Sequence, residues 1–248
     1  MEITNDTENR ISFNNDHICI PSVTLCYSYF NQASALLRHV DNWNKWSNYL
    51  RNHFSFLVVD DNSSIPALET ITDRKLNELN LSIYRVLDDL YCNISGARNL
   101  AAKKCLTEWM MILDMDTLVS EELAQSIISL VSNPRSGIAY KFNQRFPDSD
   151  KEIPHGAVCL IKVKDYWNVG GCEEDLVGNY GYTDPIFWYR AKGKLKVEIK
   201  YEHYLDIIRE GHAEINRNSS HNLKLFETKK KDNSWSDDFI RFDWEKVY

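Results

Sequence analysis

Two carboxylates separated by one residue, Asp114 and Asp116, come immediately after the apolar run Trp109 to Leu113. In an extended chain, residues i and i+2 point to the same side, so both acids would emerge together at the carboxyl end of a buried strand. That edge is where open α/β sheets bind ligands. Carboxylate oxygens suit Mg²⁺ or Mn²⁺. The pair therefore predicts a divalent cation that holds a diphosphate, and a plain acidic turn before a helix is the alternative.

Strand and helix patterns alternate through the first half of the chain, which is what would place these acids at a sheet edge. Short apolar runs rich in β-branched and aromatic residues predict strands, and apolar residues at helical spacing predict helices. The predicted strands are 23–29, 54–59, 81–87 and 109–113, and the predicted helices are 32–51, 66–79, 95–107 and 121–131. Ser95 and Ser120 are the expected N-caps of the last two helices. This order predicts a mainly parallel sheet covered by helices.

The second half has a different pattern. Strands are predicted at 137–142, 157–163 and 195–201, and a helix at 185–192. A glycine-rich acidic segment, residues 170–175, lies between them. With neither an internal repeat nor a low-complexity linker, we expect one α/β domain whose halves share a sheet.

Composition limits the function classes. The chain has 248 residues, of which 43% are hydrophobic, enough for one sizeable core. Its formal charge of −7 argues against a nucleic-acid partner. The basic run Lys229 to Lys231 is interpreted as a solvated surface stretch.

The six cysteines are dispersed without a C-x-x-C pair, which predicts reduced thiols in a cytoplasmic setting. No apolar run reaches the roughly 18 residues that a membrane span needs. Residues 1–16 are polar and lack a signal-peptide core, so they are interpreted as a loose lead-in.

Four sequence pieces, in this order, resemble the GT-A fold glycosyltransferases. They are VVDDNS at 58–63, SGARN at 95–99, LDMD at 113–116, and the stretch from Gly170-Gly171 through Asp184 to Arg190. The closest types are family-2-like enzymes and those with a galactosyltransferase-type C-terminal motif. The resemblance covers about residues 22–215. It implies a Rossmann-like GT-A domain with a mixed, mostly parallel sheet. It also implies sugar transfer from a nucleotide diphosphate sugar, with UDP-sugar as the expected donor, to a hydroxyl group in glycan or polysaccharide synthesis.

On this resemblance the chain divides into a lead-in, one domain and a tail. The expected bounds are 1–20 for the lead-in, 21–118 for the half that binds the nucleotide sugar, 119–220 for the half that binds the acceptor, and 221–248 for the C-terminal tail. The aromatic and acidic tail residues from Trp235 onward are expected to pack on the domain, with a dimer contact or a membrane-proximal contact as the alternatives.

The resemblance also assigns residues to the donor. The expected donor-binding residues are Ser28, Tyr29 and Asn31 after the first strand, Asp61 after the second, Arg98 and Asn99 in the fourth helix, and Asp114. Asp60 and Asp61 stand together, so one is expected to form the turn and Asp61 to contact the base. For Arg98 the alternative is an exposed side chain in a first helical turn, although a helix start with a guanidinium attracts phosphate.

Metal ligation is assigned in the same way. Asp116 is the expected direct ligand, and His212 lies where galactosyltransferase-like relatives place a metal-binding histidine. His203 and His221 compete for that role, and an imidazole ligand favours Mn²⁺ over Mg²⁺.

Asp184 is the expected catalytic base, since inverting relatives carry the base just ahead of a helix. The family pattern there is commonly Gly-Glu-Asp, whereas Thr183 stands here in place of the first acid. Capping of a helix that begins at Pro185 is the alternative. Glu174 and Asp175 are rival bases or acceptor-binding groups.

On the acceptor side, Trp167 and Tyr182 are expected to stack on sugars, as are Trp188 and Tyr180. The mechanism expected is a single displacement with inversion of the anomeric configuration.

Two other classes remain open. A sugar nucleotidyltransferase uses a similar sheet and metal, but normally has a Gly-rich basic loop after the first strand, where this chain has Tyr29-Phe-Asn-Gln. A non-catalytic nucleotide-sugar or carbohydrate-binding module would explain the missing acid before Asp184.

Overall fold

The computed structural model describes residues 22–132, 135–209 and 215–248. Ten strands in these residues form one mixed sheet. They are β1 (Val23–Tyr29), β2 (Phe54–Asp60), β3 (Leu81–Val86), β4 (Trp109–Asp114), β5 (Thr117–Leu118), β6 (Ile138–Phe146), β7 (Ser149–Pro154), β8 (Cys159–Lys162), β9 (Lys196–Ile207) and β10 (Trp244–Lys246). The order is β10-β3-β2-β1-β4-β8-β6-β9-β5, with β7 paired to β6.

Eight α-helices accompany the sheet in the described ranges. They are α1 (Ala33–Lys45), α2 (Asn48–His53), α3 (Ala67–Ile71), α4 (Ile94–Lys104), α5 (Glu121–Val131), α6 (Val163–Val169), α7 (Thr183–Ala191) and α8 (Ser220–Asp232). The expected α/β fold, a mixed sheet flanked by helices, is confirmed.

Parallel pairing of β3, β2, β1 and β4 forms the centre of the sheet. The chain moves outward from β1 to β2 and β3, then returns to place β4 on the other side of β1. Ligands bind at such a switch point in open α/β sheets, beyond the carboxyl ends of the strands. In register, Ser28 lies opposite Asp114, and Tyr29 lies opposite Asp60. The polar residues that follow these strands therefore meet at one level.

Both faces of the central strands are buried, which is why they read as continuous apolar runs. On β4, Met111 and Leu113 pack into the cluster beneath α1 and α5, whereas Met110 and Ile112 pack into the cluster beneath α4, α6 and α7. Alternate residues of one strand thus anchor helices on opposite faces.

Two expected helices differ from the structure. The stretch 32–51 is divided at Trp46, which is extended and buried, and Ser47 begins a second helix by accepting a hydrogen bond from the Leu50 amide. The helix expected over 66–79 ends at Ile71.

One of the two expected N-caps is confirmed. Ser120 caps α5 by accepting from the Leu123 amide. Ser95 does not cap α4; Asn93 does, accepting from the Gly96 amide at 3.1 Å.

The C-terminal residues lie against the domain. β10 pairs antiparallel with β3, and the Lys104 ammonium lies 4.0 Å from the centre of the Trp244 ring. Lys229 is not a solvated surface residue: it is 5% exposed and ion-paired with Asp175 and Glu173. Among the described residues, no helix has the length and apolar character needed to cross a bilayer.

Candidate functional site

A cleft opens at the switch point, over the carboxyl ends of β1 and β4. Five of the expected donor and metal residues line it: Ser28, Tyr29, Asp61, Asp114 and Asp116. The other lining residues come from the loop after β1, from α4 and its preceding loop, from the turn after β4, and from the segments before α7 and α8: Phe30, Gln32, Cys92, Ile94, Ala97, Met115, Tyr180, Ile215 and Arg217.

The acidic pair is held in a tight turn after β4. The Thr117 hydroxyl donates to the Asp114 carbonyl at 2.6 Å, and the Ile208 amide donates to the Asp116 carbonyl at 2.7 Å. The backbone around both acids is therefore fixed, and the side chains of Asp114 and Asp116 both reach the cleft.

A buried histidine supports the same turn from below. The Nε2 of His39 on α1 lies 2.9 Å from the Met115 carbonyl, between the two acids. Burial lowers the pKa of His39 to about 4, so the ring is neutral at pH 7, and Nε2–H must be the donor to a carbonyl acceptor. The sequence offered no sign of this role, because His39 reads as one more residue on the apolar face of α1.

The two acids at the end of β2 have separate tasks. Asp60 is 1% exposed and accepts from the amides of Ser63 and Ala67, each at 2.8 Å, and from Arg85 at 2.8 Å. Asp60 is therefore a structural acid that shapes the turn after the strand.

Asp61 faces the cleft instead. One of its oxygens accepts from the Asn93 amide at 2.9 Å, and the residue is 8% exposed. Burial raises the pKa of Asp61 to about 6, and the charge of Asp60 adds to the shift. A carboxylate in the cleft that accepts one backbone hydrogen bond can accept another from an N–H or hydroxyl group of a ligand.

Arg98 links two of the predicted site residues. Its Nη1 donates to Asp184 at 2.6 Å and its Nη2 donates to Asp114 at 2.7 Å, while the Arg98 side chain is only 5% exposed. Burial opposes its positive charge, but Asp184 and Asp114 outweigh that effect and raise the pKa of Arg98 above its ordinary value. The guanidinium is therefore a permanent cation between the two carboxylates.

The first turn of α7 presents Asp184. Tyr182 is the N-cap with φ of 66°, and the helix begins at Thr183. Capping is not the role of Asp184, because it lies inside the first turn and its carboxylate pairs with Arg98. The Thr183 hydroxyl lies 3.2 Å from the Ser95 hydroxyl, so α7 is fastened to the start of α4.

Two expected ligand residues are corrected by the structure. Asn99 is fully buried, and its amide group contacts Cys172, Tyr166 and Glu174. Glu174 is 3% exposed and accepts from Asn99 and from the Ile240 amide. These polar groups are used inside the protein, so Asn99 does not face the donor and Glu174 does not face the acceptor.

Asp175 and Trp167 also have internal partners. Asp175 forms ion pairs with Lys229 and Arg241, and the Trp167 ring lies 5.4 Å from that of Phe239. Both expected acceptor residues therefore hold the C-terminal segment.

Three further residues that were predicted to bind a substrate contact other residues of the protein. The Asn31 side chain accepts from the Ser64 amide at 2.9 Å. The Tyr29 hydroxyl donates to the Ile65 carbonyl at 3.1 Å. The Tyr182 ring packs at 5.9 Å from Phe226. Tyr29 alone of the three also lines the cleft.

The carboxylate oxygens of Asp114 and Asp116 in the cleft are the type of ligand that a divalent cation such as Mg²⁺ or Mn²⁺ prefers. Within the described ranges, no group of three His, Cys, Asp or Glu side chains could hold a metal ion by itself. Mg²⁺-type sites are commonly built from one or two carboxylates plus substrate phosphates and water, which Asp114 and Asp116 match. His212 lies outside the described residues. His203 is 3.8 Å from Glu202, and His221 is exposed on α8.

The sequence did not reveal Arg217. Its guanidinium lies 5.7 Å from the centre of the Tyr180 ring, and both residues line the cleft. Arg217 carries no local motif, and Tyr180 was expected on the acceptor side.

Comparison with known proteins agrees with the fold and identifies the family. A family model described as "Glycosyl transferase family 2" matches residues 24–192, more than half of the chain. No curated protein matches the sequence. The galactosyltransferase-type C-terminal motif stays a prediction.

Several solved structures share the fold. S. aureus TarS 1–349 in complex with UDP-GlcNAc superposes with a TM-score of 0.64 at 12% identity, over 87% of this chain and 68% of that one. The mannosyltransferase PcManGT from Pyrobaculum calidifontis, in complex with GDP-Man and Mn²⁺, has a TM-score of 0.61 at 17% identity, over 88% of this chain and 66% of that one. GalNAc-T7 with UDP, GalNAc and Mn²⁺ has a TM-score of 0.63 at 15% identity, over 84% of this chain and 48% of that one. The chain spans 60% of the length of TarS 1–349 in another structure and 41% of a longer TarS chain.

Proposed function

The chain belongs to glycosyl transferase family 2, and we propose that it transfers a sugar from a nucleotide diphosphate sugar to a hydroxyl group of a carbohydrate acceptor. One observation carries the proposal: Arg98 joins Asp114, in the cleft, to Asp184, at the start of α7. A donor bound in the cleft and an acceptor beside Asp184 would meet across this guanidinium.

The proposed donor is a UDP-sugar. Asp61 supports this, because a carboxylate that lines the cleft and has accepted only one backbone hydrogen bond suits the imide N–H of uracil. The TarS and GalNAc-T7 structures contain UDP-GlcNAc and UDP, whereas the PcManGT structure contains GDP-Man. A guanine base also offers N–H donors, so a GDP-sugar is the competing donor.

Asp116 and Asp114 would hold a divalent cation, Mn²⁺ or Mg²⁺, with His212 as a further proposed ligand. The cation, when bound, neutralises charge that builds on the diphosphate as it leaves. Arg217 lines the cleft, and the buried Arg98 adds positive charge beside Asp114. Thr117, Ile208 and His39 keep the acidic turn in place while the leaving group departs.

Asp184 is the proposed general base. Its carboxylate would take the proton from the acceptor hydroxyl as that oxygen attacks the anomeric carbon from the side opposite the diphosphate. The C–O bond to the sugar forms as the bond to the diphosphate breaks, so one displacement inverts the anomeric configuration. Arg98 fixes the orientation of this carboxylate.

We place this reaction in the cytoplasm, in glycan or polysaccharide synthesis. The five described cysteines are free thiols, in keeping with a reducing compartment.

The direct test is turnover of a panel of UDP- and GDP-sugars with Mn²⁺ or Mg²⁺, followed by release of the nucleoside diphosphate. Turnover of one donor with metal, and none with chelator, is the expected result. Proton NMR of the product's anomeric centre would check inversion. Pyrophosphate formed from UTP would identify a nucleotidyltransferase instead, and donor binding without turnover would identify a binding module.

A further inference from the structure

A half-buried lysine lies beside the proposed catalytic base, outside the donor cleft. Lys141 on β6 donates from Nζ to the Gly156 carbonyl at 2.8 Å, and its ammonium lies 4.5 Å from the centre of the Trp188 ring. The Trp188 indole N–H donates to the same carbonyl at 2.9 Å. Lysine, indole and carbonyl thus form one small polar and aromatic cluster.

This cluster is on the side of α7 that carries Asp184. Trp188 follows Asp184 by four residues, which places both side chains on one face of the helix. Burial lowers the pKa of Lys141, and the negative charge of the Asp184 carboxylate opposes that shift. None of the three cluster residues lines the donor cleft. A molecule on the cluster would therefore approach Asp184 from the acceptor side.

The loop that presents the Gly156 carbonyl is fixed. The His155 amide donates to the Phe142 carbonyl at 2.9 Å. The His155 Nδ1 accepts from the amides of Ala157 and Val158 at 3.2 and 3.1 Å. The carbonyl therefore holds the ammonium in one place.

Lys141 has no carboxylate partner within 4.0 Å in the part of the chain that the structure describes. Asp184 gives its close contact to Arg98. An ammonium has three donors, and only one is used on Gly156. A half-buried ammonium with two unused N–H donors and no carboxylate in direct contact can bind an anion that arrives with a ligand.

We propose that Lys141 binds a negatively charged group of the acceptor, a carboxylate or a phosphate, with Trp188 against the sugar ring. The acceptor class is then an acidic sugar. This inference rests on the proposed glycosyl transfer, and it adds the chemical identity of the second substrate.

The test uses matched acceptors with the donor that is turned over. The neutral members are p-nitrophenyl glucoside and galactoside; the charged members are the corresponding glucuronide and galacturonide, and the 6-phosphates of both hexosides. Each charged acceptor should have a higher kcat/KM than the neutral hexoside it is matched to. A higher kcat/KM for the uronides would identify a carboxylate as the preferred group, and a higher value for the 6-phosphates would identify a phosphate. Equal use of charged and neutral members would overturn the proposal.

Variants connect that preference to the lysine. Lys141→Met should raise the KM for the charged acceptor by about 10-fold or more, the usual effect of losing a charge-assisted hydrogen bond. Lys141→Arg should restore most of the preference. Lys192→Met, at an exposed position after α7, is the matched control and should keep it. A Lys141→Met enzyme that keeps the full preference for charged acceptors would contradict the assignment.

A second measurement is independent of turnover. Lysines are dimethylated with ¹³C-formaldehyde, and the Lys141 resonance is identified by its loss in Lys141→Met. Glucuronic acid or glucose 6-phosphate should shift that resonance at concentrations that leave the Lys192 resonance in place. If both move together, or neither moves, the anion site is rejected. Absence of turnover with every donor would instead refute the proposed function and leave this NMR result standing.

Discussion

Arg98 Nη1 and Asp184 Oδ1 are 2.6 Å apart, although 86 residues separate them in the chain. The contact joins α4, which borders the donor cleft, to the start of α7, where the proposed base lies. Since the same guanidinium holds Asp114 at 2.7 Å, one side chain determines the distance between the donor cleft and the base. The planar fork of arginine suits this task, because its two terminal nitrogens point to separate acceptors.

Replacing Arg98 by lysine keeps the charge and removes the fork. A single ammonium cannot contact Asp114 and Asp184 through separate nitrogens as the guanidinium does. We therefore expect the rate of transfer to fall by about 10²-fold, the scale of a misplacement of about 1 Å at a reacting centre. The kcat for transfer is the quantity to measure. Arg74→Lys, in a more exposed ion pair with Asp41, is the matched control. Equal kcat values for the two variants would show that the bridge does not set the geometry.

Asp184→Asn tests the base directly. The amide retains the shape of the side chain but does not take the acceptor proton, so transfer should drop by about 10² or more. Affinity for UDP should stay, since Asp184 does not line the cleft. Steady-state kinetics and a thermal-shift titration with UDP measure the two effects. Normal transfer by the Asn variant would remove Asp184 from the mechanism.

The acidic pair makes donor binding depend on a metal ion. Asp116→Ala should abolish the increase in melting temperature that UDP and Mn²⁺ together produce, because the variant lacks the proposed direct ligand. Asp73→Ala removes an exposed carboxylate that does not line the cleft, so this variant should bind UDP and Mn²⁺ like the original protein. A metal-dependent shift that persists in Asp116→Ala would place the cation elsewhere.

Asp61 should make folding stability depend on pH. Its folded pKa of about 6 exceeds the ordinary value of 3.8, so between these pH values the folded protein retains a proton that the unfolded chain releases. The free energy of unfolding therefore falls as pH rises through this window, by about 3 kcal/mol at most for a shift of about two pKa units, and the loss persists at higher pH.

Asp61→Asn should remove that dependence. An amide oxygen still accepts from the Asn93 amide, so the fold is retained. Urea unfolding at pH 4 and pH 7.5 measures the effect: relative to the original protein, the Asn variant should gain stability at the higher pH. A difference between the two proteins that is the same at both pH values would mean that burial does not perturb Asp61.

The sequence predicted the parts of the site that depend on strand ends. A buried apolar run showed where β4 stops and so placed Asp114 at the sheet edge, whereas Ser28 and Asp61 were assigned from the resemblance; all three line the cleft. The contacts of Arg98 were not predictable, since its partners lie 16 and 86 residues away. Such pairings depend on how α4 and α7 pack on the sheet.

The same limit explains the wrong expectations. Asn99 and Glu174 have the composition of ligand-binding residues, and nothing local shows that each is covered by other segments. Glu174 accepts from the Ile240 amide of the C-terminal segment, and Asn99 is enclosed by Tyr166, Cys172 and Glu174. Lys229 was misread for the same reason, because its acidic partners are over 50 residues away.

Glu174 connects the C-terminal segment to the helix that carries Arg98. One carboxylate accepts from Asn99 at 2.7 Å and from the Ile240 amide at 2.8 Å, in a site that is 3% exposed. Glu174→Ala would remove the acceptor of the Ile240 amide and of one Asn99 N–H, since Asn99 also donates to the Cys172 carbonyl. A buried donor without an acceptor costs about 1–3 kcal/mol. We therefore expect the free energy of unfolding to fall by about 2 kcal/mol or more, measured by urea denaturation.

The kinetic consequence separates this role from catalysis. Because Asn99 is adjacent to Arg98, loosening it should lower kcat while the KM for the donor changes little, since neither Glu174 nor Asn99 lines the cleft. Glu174→Gln keeps one carbonyl oxygen for the Ile240 amide and should recover part of the stability and the kcat. Glu227→Ala, exposed on α8, is the control for losing one carboxylate. If Glu174→Ala were as stable as Glu227→Ala, the C-terminal segment would not support α4, and the internal assignment of Glu174 would be wrong.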